Sequence, residues 1–487
     1  MSVRIIYQDV AVGAAEDASI TATQKDSISD VSLLPFGGDK GKYATFEPNY
    51  WLLDGSVDIY DGQPVAYVSS NVSNQSTCNL SPNPTVTVNF DNLYTSLGIF
   101  ISQIDDGFCD SVNIKWYNGS TLLEDVDFAP DKADYFCQKT VQDYNKVVIA
   151  FKHMTLPKRR LRISQIMFGL VRVFERDEIR SGAANVIQQI DHTSRELAVN
   201  TLDWTLSSKE NVEFIFQQKQ PMTAYDGQTL IGAFYIDSAD RLAVNHYSIS
   251  CKDAIGLLDD DVFPDAVYNN KNAYDLAVEI CDTFTVDMQA DLKTKTVTGI
   301  LQGQTRRTAL QQLCFAIGAI ADTSGTEKIR IFTLDDTDIV SLDENRLRPS
   351  GSITKDGAVT AVTVTAHSYS TSGSGPSVII NGTTYYDTQT SRTIINTDVS
   401  DTEKANVVEV SDCTLISPSN LNEITQHLFD EVTRREHHNV SFRLDGELVG
   451  QYVETITPWE TAFEGHYIRG NIKLSGFALT EAEIIGT

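Results

Sequence analysis

The stretch NTLDWTLSS, residues 200–208, places Leu202, Trp204 and Leu206 at every second position with polar residues between them. Successive side chains of a β-strand point to opposite faces, so this alternation predicts a strand with one apolar and one polar face. The same pattern predicts strands in NVEFIFQQ (211–218), LIGAFYID (230–237) and NHYSISCKD (245–253). Together, these strands predict a small antiparallel barrel over residues 170–263.

Residues 36–169 show shorter strands, such as TVTVNF (85–90), SVNIKWYNG (111–119) and VVIAF (147–151), separated by turns rich in Asn, Asp, Gly and Pro. This pattern of short strands and turns predicts a β-sandwich, preceded by an N-terminal arm over residues 1–35. Val112, Ile114 and Trp116 alternate within one strand. We therefore assign Trp116 to the core and not to a ligand-binding surface.

A helical period begins after residue 263. Leu276, Ile280 and Phe284 follow at intervals of four, with Asn272 placed as an N-cap. Thr305 is a second N-cap, ahead of the apolar stripe in TRRTALQQLCFAIGAIADT (305–323). With the strand GTEKIRIFTL (325–334), this pattern predicts a small mixed α/β module over residues 264–350.

Residues 351–487 return to strand alternation, with one helix predicted over 418–436. Ser417 and Pro418 suit an N-cap and a first helical turn. The segments 170–262 and 351–487 are similar in size and pattern, although no strong sequence repeat is visible. The predicted fold class is mainly β with α+β: two β-barrels, a small mixed α/β module between them, and an N-terminal β-sandwich.

Charge and cysteine content narrow the functional classes. The 487 residues include 38 Lys and Arg against 66 Asp and Glu, giving a formal net charge of -28. This excess opposes stable binding to nucleic acid or to an anionic membrane. Seven scattered cysteines without a C-x-x-C pair indicate free thiols in a reducing compartment. The N-terminus lacks the apolar run of a secretory signal, and CFAIGAIA (314–321) is too short to span a bilayer, so we expect no membrane segment.

Three consecutive aspartates, Asp259, Asp260 and Asp261, raise the question of a metal site. A calcium loop of the EF-hand type needs oxygen ligands at alternating positions, a glycine at the sixth and a glutamate at the twelfth. Counting from Asp259, the sixth residue is Pro264. Because adjacent carboxylates also repel each other, we interpret the triplet as a solvated segment that caps or ends a structural element.

Other candidate motifs are incomplete. His437 and His438 are adjacent at the start of a strand, so they point to opposite faces and do not share an ion. His427 lies at helical spacing from Glu423 and Glu431, without a third ligand signal. GGDKGK (37–42) lacks the glycine and the Ser or Thr that a phosphate-binding loop requires. We therefore expect no catalytic residue, no metal and no cofactor, and a protein that is not an enzyme.

The order of segments resembles that of phage baseplate hub or tail-tip hub proteins, of the type found in Gram-positive phages, prophages and phage-tail-like bacteriocins. The resemblance covers about residues 165–487. It is carried by ISQIMFGLVRVFERDEI (163–179), IDHTSRELAVNTLDWTLSSK (190–209), LIGAFYIDSADR (230–241), SISCKDAIGLLDDDVF (248–263), VVEVSDCTLISPSNLNEITQHLFDEVTRRE (407–436) and GNIKLSGFALTEAEIIGT (470–487).

Residues 36–169 resemble a galactose-binding-like jelly roll of the discoidin or carbohydrate-binding type. YWLLDGS (50–56) corresponds to the Leu-Asp-Gly turn of such domains, and RLRISQIMFG (160–169) to their final strand. This resemblance implies Tyr50, Trp51 and Asp54 as candidate carbohydrate-binding residues. Such domains also serve for packing within an assembly.

The hub resemblance implies a homotrimer in which two similar barrels per chain form a pseudo-hexameric ring. That ring joins the six-fold tail tube to a three-fold spike or fibre, and an acidic lumen would let DNA pass without sticking. The expected partners are a tail tube or distal tail protein ring, a tape-measure protein, other baseplate proteins, and a spike or fibre. Because the chain stops after the last barrel strand, we expect the spike to be a separate chain and no lytic domain. The expected location is the virion tail tip, assembled in the bacterial host cytoplasm.

Two alternatives remain open. The protein could be a host-receptor adhesin that binds carbohydrate through residues 36–169. It could also be a carbohydrate-active enzyme with an ancillary binding domain, because a pair of catalytic carboxylates is never excluded by sequence.

Overall fold

Strands make up most of the structure, and the mainly β fold class predicted from the sequence is confirmed. The computed structural model describes residues 3–11, 13–37, 43–44, 47, 59–60, 65–209, 214, 216–342, 344–400, 405–474 and 478–486. The chain divides into a smaller unit, Tyr7–Arg172 with Glu213–Gln220, and a larger unit, Met1–Ile6, Val173–Val212 and Pro221–Thr487. The boundaries of the five domains expected from the sequence stay predictions.

The strands up to residue 175 are β1 (Val3–Val10), β2 (Ser19–Ala22), β3 (Tyr43–Ala44), β4 (Ile59–Tyr60), β5 (Tyr67–Val68), β6 (Thr85–Gln103), β7 (Cys109–Asn118), β8 (Thr121–Phe128), β9 (Asp134–Met154), β10 (Arg162–Met167) and β11 (Gly169–Glu175), with helix α1 at Ala14–Asp17. In the smaller unit the strand order is β5-β10-β6-β9-β7-β8, and β2 pairs with β6. All these pairs are antiparallel.

Two long strands shape the smaller unit. β6 and β9 are 19 and 21 residues long, and the register of their ladder shifts several times between Asn89 and Gly98. Bulges of this kind bend a strand, so the sheet curves around its core. Gly98 has a φ of +156°, and a Cβ there would lie 2.3 Å from the carbonyl oxygen of Cys137. Glycine is therefore required for the close approach of the two strands.

The core of the smaller unit follows the predicted alternation. Val112, Ile114 and Trp116 of β7 are all fully buried. Trp116 packs edge to face against Phe128, with ring centroids 6.4 Å apart. The assignment of Trp116 to the core is confirmed.

The strands that follow are β12 (Ile179–Gln189), β13 (Thr201–Ser207), β14 (Pro221–Asp226), β15 (Thr229–Ala243), β16 (His246–Lys252), β17 (Ala266–Asn272), β18 (Val286–Met288), β19 (Thr296–Leu301), β20 (Ile320–Asp322), β21 (Ile329–Phe332), β22 (Ile339–Ser341), β23 (Leu347–Lys355), β24 (Ala361–Ser370), β25 (Ser377–Ile380), β26 (Thr383–Ile395), β27 (Val407–Val410), β28 (Glu436–Arg443), β29 (Tyr452–Ile456), β30 (Ala462–Leu474) and β31 (Ala478–Gly486). The helices are α2 (Ala254–Leu257), α3 (Ala273–Cys281), α4 (Arg306–Ile317) and α5 (Leu421–Val432). Single 3-10 turns lie at Val31–Leu33, Leu258–Asp260, Leu292–Thr294 and Glu344–Arg346.

Two sets of five strands in the larger unit share one order. The first set is ordered β12-β13-β16-β15-β14, and the second β23-β28-β31-β30-β29. In each set, the first strand in the chain pairs with the second, the second with the fifth, the fifth with the fourth, and the fourth with the third. We call these sets the first and the second repeat.

Both repeats also interrupt their ladders at corresponding places. The register of the fourth strand shifts between Ile236 and Ser238 in the first repeat, and between Tyr467 and Arg469 in the second. The first strand of each repeat has another irregularity near its start. Because bulges are specific structural features of a strand, the shared positions support a common backbone plan.

A helical module lies between the repeats in the chain. The side chain of Asn272 accepts from the backbone N–H of Asp275 at 3.1 Å, and that of Thr305 from Thr308 at 3.2 Å. Both predicted N-caps are confirmed. α3 and α4 share one apolar core with α5 and β24, which includes the buried residues Leu276, Ile280, Leu310, Leu313, Val362, Val364, Ile424 and Leu428.

The helix predicted over 418–436 is shorter. α5 begins at Leu421, with Asn420 in the N-cap position and without a capping side-chain bond. The Asn420 side chain instead accepts from the backbone N–H of Ser417 at 2.8 Å. Ser417 is therefore not the N-cap. The helix ends at Val432, and β28 begins four residues later at Glu436.

The strand predicted over 211–218 is wrong where the structure describes it. Phe214 and Phe216 are buried, as the alternation predicts, but neither lies in a strand. Phe216 has a φ of +40°, in the left-handed region that an extended strand does not use. The rest of the segment up to residue 215 lies outside the described residues.

Candidate functional site

The two repeats are joined edge to edge into one sheet. β12, the first strand of the first repeat, pairs antiparallel with β30, the fourth strand of the second repeat, over residues 185–189 and 469–473. The strand order therefore runs β14-β15-β16-β13-β12-β30-β31-β28-β23 across both repeats. We call the β12–β30 contact the joint. It is the feature that turns two small sheets into a single extended surface.

Rows of directly opposite residues cross the joint in register. One row is Arg443, Leu479, Lys473, Asn185, Asp203, Ser250 and Ser238, and another is Ser441, Glu481, Asn471, Ile187, Thr201, Lys252 and Tyr235. The row between them is Phe442, Thr480, Ile472, Val186, Leu202, Cys251 and Ile236, and all seven are buried. Since alternate residues point to opposite faces, the sheet has one buried face and one largely polar face that spans seven strands.

The polar face is close to neutral. A further row on it is Ser352, Asn439, Glu483, Arg469 and Gln189. The three polar rows hold the basic residues Arg443, Arg469, Lys473 and Lys252 and the acidic residues Asp203, Glu481 and Glu483. The resemblance to tail hubs implied an acidic lumen, but these three rows of the polar face are not acidic. The net negative charge of the chain lies elsewhere.

Two pairs of oppositely charged side chains lie on this face. Lys473 forms an ion pair with Glu481, and His437 lies 2.7 Å from Glu483. A concavity of about 500 Å³ lies over the strands of the second repeat and is lined by polar side chains of β28, β30 and β31. Two acidic residues that line it, Glu481 and Glu483, are the partners of Lys473 and His437, and its polar lining provides a hydrated surface.

A buried polar network ties the first repeat to the helical module. The carboxylate of Asp253 caps α2 and accepts from the backbone N–H of Asn200 at 3.2 Å and the hydroxyl of Thr323 at 2.7 Å. Burial raises the pKa of Asp253 to about 6. The Asn200 side chain also donates to Asp322, which pairs with Arg330 at 2.5 Å. These bonds fix the end of the repeat against β20 and β21.

A cleft of about 700 Å³ lies beside α5 and is lined in part by His192 and Arg434. Arg434 pairs with Asp336 at 2.9 Å, and His466 contacts the other Asp336 oxygen at 2.6 Å. Burial lowers the pKa of His192 to about 4 and raises the pKa of Glu431 to about 7. Arg434 lies 3.3 Å from Glu431. Contacts with one another therefore engage Glu431, Arg434, Asp336 and His466, and they hold the end of α5 against β30.

The aspartate triplet ends a helical turn. Asp259 pairs with Arg307 at 2.6 Å, and Asp260 with Lys252 at 3.0 Å. The backbone carbonyl of Asp261 accepts from the N–H of Arg306. The carboxylates of Asp259 and Asp260 thus bind different cations and do not converge.

The other candidate residues are also separated. Glu423 pairs with Lys295 at 2.9 Å, away from the Glu431 contact described above. His437 lies on the polar face, whereas His438 is buried against Phe463. In the part of the chain that the structure describes, no group of three or more His, Cys, Asp or Glu side chains is placed to hold a metal ion.

The candidate carbohydrate-binding residues Tyr50, Trp51 and Asp54 lie outside the described residues. Their role therefore stays a prediction. Among the described helices, none combines the length and the apolar character needed to cross a bilayer.

Sequence reasoning did not identify the joint. Its residues, 185–189 and 469–473, are far apart in the chain, and their pairing is made by backbone groups. The local signals are weak. Apolar and polar residues alternate in GNIKL (470–474), but in NVIQQ (185–189) the two apolar residues are adjacent. Alternation predicts a strand but does not name its neighbour.

Comparisons with known proteins give the following. No protein-family model matches the sequence, and no curated protein matches it. The fold is similar to that of the 43 kDa tail protein of prophage MuSo2 from Shewanella oneidensis, with 13% sequence identity, a TM-score of 0.45, and coverage of 65% of this chain and 96% of that chain.

Two further solved structures show a comparable likeness. The tail protein from Neisseria meningitidis has 10% identity, a TM-score of 0.46, and coverage of 65% of this chain and 93% of that chain. Prophage tail protein gp18 from Listeria monocytogenes has 10% identity, a TM-score of 0.43, and coverage of 65% and 91% respectively. At these values the likeness is a partial one of backbone fold.

Proposed function

We propose that the protein is a non-catalytic structural hub of a phage tail or tail-like injection particle. Three copies form a ring that contains six similar repeats. Such a ring matches a six-fold tail tube on one side and a three-fold spike or fibre on the other. The observation that carries this proposal is the joint, because it places two repeats of the same strand order side by side in one sheet.

Symmetry explains why a duplicated chain suits this role. A closed ring of identical chains has the symmetry of its chain number. With two similar repeats per chain, three chains present six nearly equivalent sheets while each chain recurs only three times. One protein therefore offers both symmetries that the junction needs, and the resemblance of residues 165–487 to tail hubs supports the same reading.

The polar face is the surface that we assign to the channel. Stable binding of DNA requires rows of Lys and Arg that neutralise phosphates and release counterions. On this face, Lys473 is already paired with Glu481, and the basic residues of β30 lie beside the acidic residues of β31. DNA therefore passes along a hydrated surface that does not hold it, even though the surface is not acidic.

The proposal includes the partners expected from the resemblance. They are a second and third copy of this chain, a tail tube or distal tail protein ring, a tape-measure protein, other baseplate proteins, and a spike or fibre formed by another chain. The proposed location is the virion tail tip, after assembly in the cytoplasm of a bacterial host.

Mass in solution tests the proposal. Light scattering on the purified full chain, with and without purified tail-tube protein, is expected to show three copies of 53.8 kDa, or about 161 kDa, and a heavier complex with the tube ring. A chain that stays monomeric at micromolar concentration and binds no tube ring would overturn it.

A further inference from the structure

The joint uses different surfaces of the two repeats. The first repeat contributes its first strand, β12, and the second repeat contributes its fourth strand, β30. A contact of this head-to-tail kind leaves the complementary surface of each repeat for another neighbour. Those remaining surfaces are β23, the first strand of the second repeat, and β15, the fourth strand of the first repeat.

Among the described residues, no strand pairs with the outer edge of β23, or with the β14 side of β15 beyond Tyr235. β23 pairs with β28 and stands at the end of the strand order described above. β15 pairs with β14 only as far as Tyr235, whereas its ladder with β16 continues to Ala243. In β30, the same half of the strand, beyond the bulge, is where β12 pairs. The backbone groups on such edges are available to a further strand.

Side chains of the joint strands β12 and β30 are less exposed than the equivalent side chains of β23 and β15. Val186 and Gln188 of β12 are 0% and 1% exposed. Ile353 and Lys355, which occupy the equivalent positions of β23, are half-buried and exposed. Asp240 of β15 is exposed, whereas its equivalent in β30, Asn471, is half-buried and pairs with Ile187 in the joint. The open edges thus keep surface that the joint covers.

Ladder pairing fixes the register of the missing contact. The row that leads from β12 to β15 is Ile187, Thr201, Lys252 and Tyr235, and the row from β23 to β30 is Thr354, His437, Ile485 and His466. Tyr235 and His466 occupy equivalent positions. Each lies one residue before the last paired residue ahead of the register shift in the fourth strand of its repeat. In the joint, Ile187 faces Asn471, five residues beyond His466. Five residues beyond Tyr235 is Asp240.

We propose that β23 of one copy pairs antiparallel with residues 238–240 of β15 in a second copy of this chain, with Thr354 opposite Asp240. This inference rests on the ring proposed above and names the strands that close it. Each copy offers β23 to one neighbour and β15 to the other. Because a head-to-tail contact either closes into a ring or continues as a filament, closure at three copies leaves neither edge free.

Engineered disulfides test the register. Directly opposite residues of an antiparallel pair have Cα atoms about 4.5–5.5 Å apart, within the range of a disulfide. We therefore expect the full-length double variant Thr354→Cys/Asp240→Cys to form, on mild oxidation, covalent trimers that survive denaturing gels without reductant. The native cysteines interfere little, because six of the seven are buried. Thr354 and Asp240 are exposed, so both variants are expected to fold.

The matched control is Thr354→Cys/Ala239→Cys. Ala239 is adjacent to Asp240 but points to the other face, so this variant is expected to stay non-covalent, as are the single variants. If light scattering shows trimers but the Asp240 variant does not cross-link, or cross-links no faster than the Ala239 variant, the strand pairing is overturned and the ring stands. If all variants and the wild type remain monomeric, the proposed function itself fails.

Discussion

Replacing Gly470 by alanine probes the packing of the joint. Gly470 lies in β30 opposite Gln188 of β12, and a Cβ at this position would lie 1.9 Å from the Tyr467 hydroxyl oxygen. That hydroxyl is buried and lies 3.1 Å from the hydroxyl of Thr480. Overpacking a core costs about 1–3 kcal/mol, and a lost buried hydrogen bond about 1 kcal/mol. We expect Gly470→Ala to lower the free energy of unfolding by about 3 kcal/mol.

A double-mutant cycle separates this cause from others. Tyr467→Phe removes the hydroxyl at a cost of about 1 kcal/mol and makes room for the new methyl group. The double variant is therefore expected to cost about 1–2 kcal/mol, well below the sum of the single changes. Urea unfolding of the four proteins measures the coupling energy, which we expect to be about 2 kcal/mol.

Additive costs, with a coupling energy below about 0.5 kcal/mol, would refute this account of the packing between Gly470 and Tyr467. The first repeat supplies a matched control. Ala239 and Ile236 of β15 correspond to Gly470 and Tyr467. Ala239 therefore already has a Cβ, and Ile236, its neighbour on the same face, has no hydroxyl. Ala239→Gly is expected to change the free energy of unfolding by about 1 kcal/mol or less.

Three further predictions concern the rest of the chain. Gly98→Ala is expected to destabilise the smaller unit by about 2–3 kcal/mol, because the new Cβ meets backbone 2.3 Å away; unchanged urea unfolding of that unit would contradict it. The pKa of Glu431, raised to about 7, means that its neutral form stabilises the fold and that this contribution is lost as pH rises through about 7. The stability of Glu431→Gln relative to wild type should therefore rise by about 2 kcal/mol from pH 5 to pH 8, and a flat difference across that window would refute the burial argument. The adhesin alternative predicts glycan-array binding by the full chain that Trp51→Ala abolishes and Trp459→Ala, at a tryptophan 59% exposed, does not; an array without signal speaks against carbohydrate binding.

Local signals in the sequence were sufficient for several elements. Leu202, Trp204 and Leu206 are buried at every second position, as the opening stretch predicts. Asn272 and Thr305 cap their helices because a side-chain oxygen three residues before a helical N–H is a local geometric feature. Such features depend on a few neighbouring residues and survive in any tertiary context.

The sequence shows two segments of similar size and pattern but no strong repeat, because the equivalent positions share burial and not identity. Leu202 corresponds to His438, and Trp204 to Val440. All four are buried, although a histidine at a buried position weakens the apolar alternation of its strand. Strand order and bulge positions show the duplication, and both are properties of backbone pairing between distant segments.

The predictions for individual residues were right where local spacing decided the outcome and wrong where a tertiary contact did. The aspartate triplet was correctly read as ending an element, since spacing alone argued against a shared ion. Ser417 was wrongly read as an N-cap because its own N–H is bound by the side chain that precedes α5, that of Asn420. The joint was missed because its two strands are recognised only by the hydrogen bonds between them.

Electron cryomicroscopy of the assembled full chain tests the central claim most directly. The account predicts a closed three-fold ring with six five-stranded sheets around one axis, in which intrachain β12–β30 contacts alternate with β23–β15 contacts between copies. A two-fold dimer, or particles in which β23 and the far half of β15 remain unpaired, would contradict it.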